Sequence, residues 1–259
     1  MSGLVKKNIL GVGITDASKE NILQYIITSL NTAKDSYYIV TPNPEMLVLS
    51  AKNSSFRQML NQARIALPDG VGITFAARLQ GKELHQRITG TDFLGLLCKE
   101  IEGKPITVGF LGGREGVAEK TAECLMSAYP GLNVIFAAPE WGEEGFEFVG
   151  KNYEREGKKL TKNQGQKTID ILFIAFGFPK QEEWMAEHLG KIPVKIMIGV
   201  GGAFDYISGY VSRAPFFLRA IGLEWLYRLI RQPWRWKRQL VLIRFSLLVL
   251  QDHFSPGDH

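Results

Sequence analysis

The chain has 259 residues, 45% of them hydrophobic, which is enough to bury the core of one large domain or of a domain with an appendage and excludes bulk disorder. Its net charge of +5 is uneven: residues 213–244 hold eight Lys/Arg against one acid, Glu224, so this stretch carries +7 and the remainder −2. The two cysteines, Cys98 and Cys124, have no Cys or His at ligand spacing and read as reduced thiols; residues 1–10 show no long apolar signal core, and no apolar run reaches the roughly 18 residues of a membrane span, so a cytoplasmic location is expected.

Residues 8–13 (NILGVG) predict a short strand. Asp16 can cap a helix from about Ala17 to Asn31, with Ile22, Tyr25, Ile26 and Leu30 at helical spacing. Tyr37 to Thr41 is aromatic and β-branched, hence a strand, broken by Pro42-Asn43-Pro44, and a helix resumes at Glu45. Phe56 to Ala63 predicts another helix, feeding a short apolar run, Ile65 to Leu67, that stops at Pro68-Asp69-Gly70. That triplet is a turn signal and places the Asp69 carboxylate where a strand gives way to a helix.

A helix capped by Thr91 or Asp92 is expected over Phe93 to Ile101. Next comes a βα unit: strand Ile106–Leu111, turn Gly112-Gly113, helix Glu115–Tyr129. Asn133 to Ala137 predicts a strand, and Trp141 to Gln166 an irregular, charged stretch with a helix in its middle. Ile169 to Phe176 is a nearly continuous apolar run, as in a strand covered on both faces, followed by the corner Gly177–Gln181 and a helix to Leu189. Val194 to Val200 is a further strand, ending in Gly201-Gly202. Alternation of this kind predicts an α/β fold with a Rossmann-like, mostly parallel sheet and helices on both faces. The corners Thr41-Asn43, Asp69-Gly70, Gly112-Gly113 and Gly177–Gln181, with Gly199–Gly202 as a fifth, are then expected on one C-terminal rim, where such sheets bind ligands.

Glycine-rich strand-to-helix corners present backbone N–H groups that suit phosphate, although tight packing is an equal reason for a glycine pair. Neither Gly109–Gly113 nor Gly199–Gly202 completes a G-x-G-x-x-G fingerprint, which weighs against a dinucleotide-dependent dehydrogenase. There is no Asp-x-Asp pair to hold a metal, so a diphosphate would have to be neutralised by Arg87, Lys180 and the basic tail. On residue type alone Asp69 is as well read as a turn aspartate bonding its own backbone, Lys180 as a solvated helix start and Gln181 as an idle first-turn residue.

Thr41-Pro-Asn43, Leu67-Pro-Asp69-Gly70, Arg87-x-x-Gly90-x-Asp92, Phe110-Leu-Gly112-Gly113, Gly177-Phe-Pro-Lys-Gln-Glu182, Gly199-Val-Gly-Gly-Ala-Phe-Asp205, Ser208-Gly209, Arg213-Ala-Pro215 and Gly222-Leu-Glu-Trp-Leu-Tyr-Arg228 together resemble the WecG/TagA/CpsF family of bacterial glycosyltransferases. The blocks run from about Leu10 to Gln239 in the family's order. The resemblance implies an inverting enzyme needing no metal or other cofactor. It would move an N-acetylmannosamine-type sugar from a UDP-sugar donor to a polyprenyl-diphosphate-linked N-acetylglucosamine acceptor, for teichoic acid or another surface polymer. It implies Asp69 as base with Thr41, Arg87 and Gln181 as further catalytic residues. It implies substrate contacts from Asn43, Gly70, Gly90, Asp92, Gly112, Gly113, Lys180, Gly201 and Gly202.

The composition shifts after Gly209, so residues 1–209 are expected as the catalytic domain and 210–259 as a basic appendage. Phe216 to Arg231 and Trp234 to Leu250 predict two helices joined at Pro233. Glu224, Arg228, Arg231, Arg235 and Arg238 recur at helical spacing, with Trp225, Tyr227, Trp234 and Trp236 among them. By composition this is an anionic membrane surface binder, a nucleic-acid binder or a solvated face. The resembled family selects the membrane: it implies a peripheral enzyme on the inner face, a homo-oligomer with no nucleic-acid partner, and diphosphate contacts from Arg228, Arg235 and Arg238.

Overall fold

The computed structural model describes residues 4–32, 35–142, 168–233 and 236–254, without the side chains of 237–239. The helix expected within 141–166 and the side chains of Arg235 and Arg238 therefore lie outside the described residues. The chain groups into two compact units, one of Met1–Lys19, Thr41–Thr89 and Ser212–His259, the other of Glu20–Val40 and Gly90–Val211.

The first unit opens with strands β1 (Lys6–Ile9) and β2 (Val12–Thr15), paired antiparallel. The single strand expected over 8–13 is thus the turn of a hairpin. Leu10 and Gly11 take φ of 50° and 83°, and the left-handed Leu10 hides that turn inside an apolar run. From residue 41 on, α2 (Pro44–Ser50) and α3 (Ser54–Gln62) start at Asn43 and Asn53. Each asparagine accepts a hydrogen bond from a backbone N–H three residues on, at 3.1 and 3.0 Å. Strand β4 (Ile65–Ala66) is held to β2 by Ala66 N–H donating to Thr15 Oγ1 at 2.9 Å, and α4 (Val71–Leu79) follows the Asp69 turn.

The second unit supplies α1 (Lys19–Thr32), which buries Ile22, Ile26 and Leu30, and β3 (Tyr37–Val40). It continues with α5 (Gly90–Ile101), β5 (Thr107–Gly112), α6 (Val117–Ala128), β6 (Asn133–Ala138), β7 (Ile169–Ala175), α7 (Lys180–His188), β8 (Val194–Gly199) and α8 (Ala203–Ile207). Its strands run in the order β3-β8-β7-β5-β6, every pair parallel, with Tyr38 opposite Met197, Ile171 opposite Ile196 and Phe110 opposite Phe173. Phe110 stacks on Phe173 at 5.6 Å and meets the Phe204 edge at 5.7 Å. Full burial of such a ring contributes on the order of 3 kcal/mol. The parallel Rossmann-like reading holds, and strand bounds fall within a residue or two of those expected. Helix α5 starts earlier than expected, at a buried Gly90, so Asp92 is an exposed first-turn residue and not the cap.

Within the first unit the tail forms α9 (Phe216–Ala220), α10 (Glu224–Arg231) and α11 (Trp236–Phe254). The first of the two helices expected there is cut in two, because Gly222 adopts a φ of +79°. Continuous helical spacing from Glu224 back to Phe216 is lost at that point. Helix α11 runs past Leu250 to Phe254, packs on α2, and buries Phe245 and Val249. Gln80 donates from α4's C-terminal end to Asp252 at 2.5 Å.

Candidate active site

Asp69 follows β4 by three residues and is half-buried. Its N–H donates to the Pro42 carbonyl at 3.0 Å, which ties the Pro-Asp-Gly turn to the Thr41-Pro42-Asn43 corner. Ile88 N–H donates to the Pro68 carbonyl at 3.0 Å, so the segment bearing Arg87 is tied to the other side of the same turn. The first unit therefore gathers Thr41, Asn43, Asp69, Gly70 and Arg87 on neighbouring backbone. Thr41 is buried, and Asn43 spends its Oδ1 on capping α2.

The tail reaches this corner. Arg87 Nη2 donates to the Arg219 carbonyl at 2.7 Å. Gly222 lies so close to Val71, the residue after Gly70, that a Cβ on it would sit 2.1 Å from Val71 Cγ1. Arg213 Nε pairs with Glu224 at 3.2 Å and its Nη2 lies 3.5 Å from Thr89 Oγ1. Glu224, read from spacing as part of a basic helix face, is in fact the partner of Arg213. Arg228 is half-buried on α10.

In the second unit the turns after β5, β7 and β8 share one end of the parallel sheet. Gly113, Gly201 and Gly202 line a cleft of about 470 Å³ there, together with the cations Arg114 and Lys180, the acids Glu140 and Asp205, and the rings of Phe176 and Trp184. Arg114 also lies over the Tyr210 ring at 5.1 Å. Lys180 opens α7 after a cis Phe178-Pro179 bond, so a cation stands at a helix N-terminus beside glycine amides. Those are the groups that bind an anion such as a diphosphate, and the rings offer a face to a flat base. Gly112, Gly90 and Asp92 are not among the lining residues.

Gln181 sits behind this wall, 2% exposed. Its Oε1 accepts from Gly201 N–H at 3.0 Å and its Nε2 donates to Glu182 Oε1 at 2.6 Å. Glu182 is fully buried. Burial pushes its carboxyl up to about 7, the nearby Glu183 charge adds to this, and the Gln181 hydrogen bond opposes it. Tyr38 on β3 is pushed up to about 12 by burial and by the Glu182 charge. Glu182 has no role in the sequence reading, since a glutamate in a helix's first turn ordinarily sits at the surface and complements the dipole. The available signal was its place in the Pro-Lys-Gln-Glu block.

Arg114, Trp184 and Asp205 are among the cleft residues that sequence reasoning does not single out as site residues. Their signal was position: each follows a glycine corner within a few residues, or lies one helical turn into the helix after it.

The sequence profile of the Glycosyl transferase WecG/TagA/CpsF family matches residues 7–258. Among curated relatives, the chain is 29% identical over 245 residues to an N-acetylglucosaminyldiphosphoundecaprenol N-acetyl-beta-D-mannosaminyltransferase of Bacillus spizizenii, covering 95% of this chain and 91% of that one. Proteins of the same name from Bacillus subtilis and Staphylococcus aureus are 28% and 29% identical, over 95% and 92% of this chain and 91% and 88% of theirs. With the glycine-walled cleft and the linked Asp69 and Asn43 corners already seen, this match over nearly the whole length means that the chain belongs to the WecG/TagA/CpsF family of glycosyl transferases.

Proposed function

We propose that this glycosyltransferase moves N-acetylmannosamine, or a closely related hexose, from a UDP donor to a polyprenyl-diphosphate-linked N-acetylglucosamine, with inversion and without a metal. The carrying observation is the near full-length similarity to transferases named for that sugar and that acceptor. Membership in a transferase family leaves no place for the dehydrogenase or the non-enzymatic binding module.

In this reading the Asp69 carboxylate takes the proton from the acceptor hydroxyl as that oxygen bonds to the sugar's anomeric carbon. The bond to the UDP β-phosphate oxygen breaks on the opposite face. The negative charge left on UDP is met by Lys180 and the glycine amides of the cleft, and Arg87, Arg228, Arg235 and Arg238 are proposed as further diphosphate contacts, as in the resembled family. The absence of an Asp-x-Asp pair supports the metal-free version. Thr41 and the Asn43 amide nitrogen supply neutral hydrogen bonds to the sugars. The product is a lipid-linked disaccharide suited to teichoic acid or another surface polymer.

No helix among the described residues is long and apolar enough to cross a membrane, and in this reading the acceptor is met at the bilayer surface. Phe216 and Phe217, 76% and 64% exposed, stand with Ile221 and Trp225 in the basic tail, an arrangement suited to the inner, anionic face of the plasma membrane. The body is proposed to assemble as a homo-oligomer, checked by light scattering in solution. The central experiment presents a panel of UDP-sugars with a synthetic lipid-diphosphate N-acetylglucosamine, with and without EDTA, and reads the new anomeric centre by NMR coupling. Transfer of N-acetylmannosamine in EDTA to give the β-linked product is expected. Dependence on added Mg²⁺, or transfer to no acceptor of this class, would overturn the reading.

A further inference from the structure

We infer that Glu182 is a positioning residue for the donor cleft: it locks the Gln181 amide in the one orientation that secures the Gly201 corner. The lock follows from donor and acceptor polarity. A side-chain amide has one accepting and one donating end, and rotating it by half a turn exchanges them. Gly201 N–H can only donate, so the Gln181 oxygen has to face it, at 3.0 Å. The nitrogen then has to find an acceptor, and Glu182 Oε1 is that acceptor at 2.6 Å. Gly199 makes the arrangement possible. A Cβ there would lie 2.9 Å from Met185 Cε and 3.0 Å from Gln181 Nε2, so the backbone approaches the amide as only glycine can.

The site looks built for position and not for stability. Glu182 is fully buried, and its Oε2 has no hydrogen-bond partner. Leaving a buried polar atom unsatisfied costs about 1–3 kcal/mol, and burial has already driven this carboxyl toward its neutral form. An apolar side chain of the same length would remove that orphaned oxygen, though it would leave the buried Gln181 Nε2 without an acceptor. What an apolar residue cannot do is accept from Gln181, and Gly201, the far end of the relay, lines the cleft beside Gly202 and Lys180.

The test compares Glu182→Met, which keeps length and removes the acceptor, with Glu182→Gln, which keeps an acceptor oxygen. Amide hydrogen exchange at Gly201 is read by NMR, and donor KM and kcat are read in the sugar-transfer assay. In Glu182→Met, Gly201 exchange is expected to accelerate about tenfold, the loss of one hydrogen bond, while β7 amides stay protected. Donor KM is expected to rise about tenfold with kcat within about threefold, and Glu182→Gln to restore both. Unchanged Gly201 exchange in Glu182→Met overturns the inference whatever the activity. Faster exchange with an unchanged donor KM overturns the link from the corner to the donor. Only the kinetic arm rests on the proposed function. A wild-type protein that transfers no sugar, yet shows the exchange difference, refutes the function and leaves the lock standing.

Discussion

The Asp69 N–H and the Pro42 carbonyl lie 3.0 Å apart, so two corners separated by α2, α3 and β4 in the sequence are held as one piece of backbone. The Asp69 backbone is therefore placed by main-chain geometry. Asp69→Asn is expected to fold and melt as wild type and to lose sugar transfer by roughly 10²- to 10⁴-fold in kcat, the range for removing a general base. Near-wild-type turnover would remove Asp69 from the chemistry.

Gly222 should tolerate no side chain. A Cβ would meet Val71 at 2.1 Å, and the +79° φ adds backbone strain. Gly222→Ala is expected to lose roughly 1–3 kcal/mol or more and to lower the melting temperature. A variant as stable as wild type would mean that the tail does not rest on the Asp69 corner as described.

Arg87 is assigned both a tail contact and a charge, and Arg87→Lys separates them. Lysine keeps the charge but lacks the fork that reaches the Arg219 carbonyl. Proteolysis between residues 216 and 223 is expected to quicken about tenfold, matching one charge-assisted hydrogen bond. Cleavage at the wild-type rate would show that Arg87 does not hold the tail.

For vesicle binding, the paired substitution Phe216→Ser with Phe217→Ser removes the two exposed rings of α9, one of which lies 5.7 Å from the Arg219 guanidinium. Partitioning onto vesicles containing anionic lipid is expected to weaken at least about tenfold, and added salt should weaken the wild type further. Equal co-sedimentation of the two proteins would refute docking through this segment.

Glu182 makes a signed prediction about pH. Its folded pKa is raised to about 7 from 4.5, chiefly by burial, with Glu183 adding to it. Between those values the folded protein holds a proton that the unfolded chain has released. Its contribution is full below 4.5, shrinks as pH rises, and is gone above about 7, a span on the order of 3 kcal/mol. Denaturant midpoints taken across that window should diverge between wild type and Glu182→Gln, whose side chain does not titrate there. Parallel curves would show that the Glu182 carboxyl is not held up.

Much of the second unit was legible because its strands are apolar runs and its turns are glycine pairs, both local signals. Ile169–Ala175 and Val194–Gly199 could be drawn from the residues themselves. What escaped depended on partners distant in sequence. Leu10 turns the β1–β2 hairpin against its own propensity, because Lys6–Ile9 and Val12–Thr15 need it to. Gly222 cuts a helix that periodicity would continue, because Val71 leaves no room for another path. Glu182 looks like a surface acid until Gln181 and Gly201 surround it. Asp69 was found by its turn, but its tie to Pro42 could not be read from either triplet.

The first unit is a patchwork of three stretches of chain. Its pieces at 4–19 and 41–89 are synthesised early, yet Gly222 against Val71, the Arg219 carbonyl for Arg87, and buried Phe245 all belong to the segment made last. The second unit is made of residues 20–40 and 90–211. On the ribosome the cleft-bearing half can therefore close first, while the half carrying Asp69 waits for the final stretch of chain. A chain clipped before residue 212 would keep every described residue of the anion cleft and lack the segment that packs on the Asp69 corner.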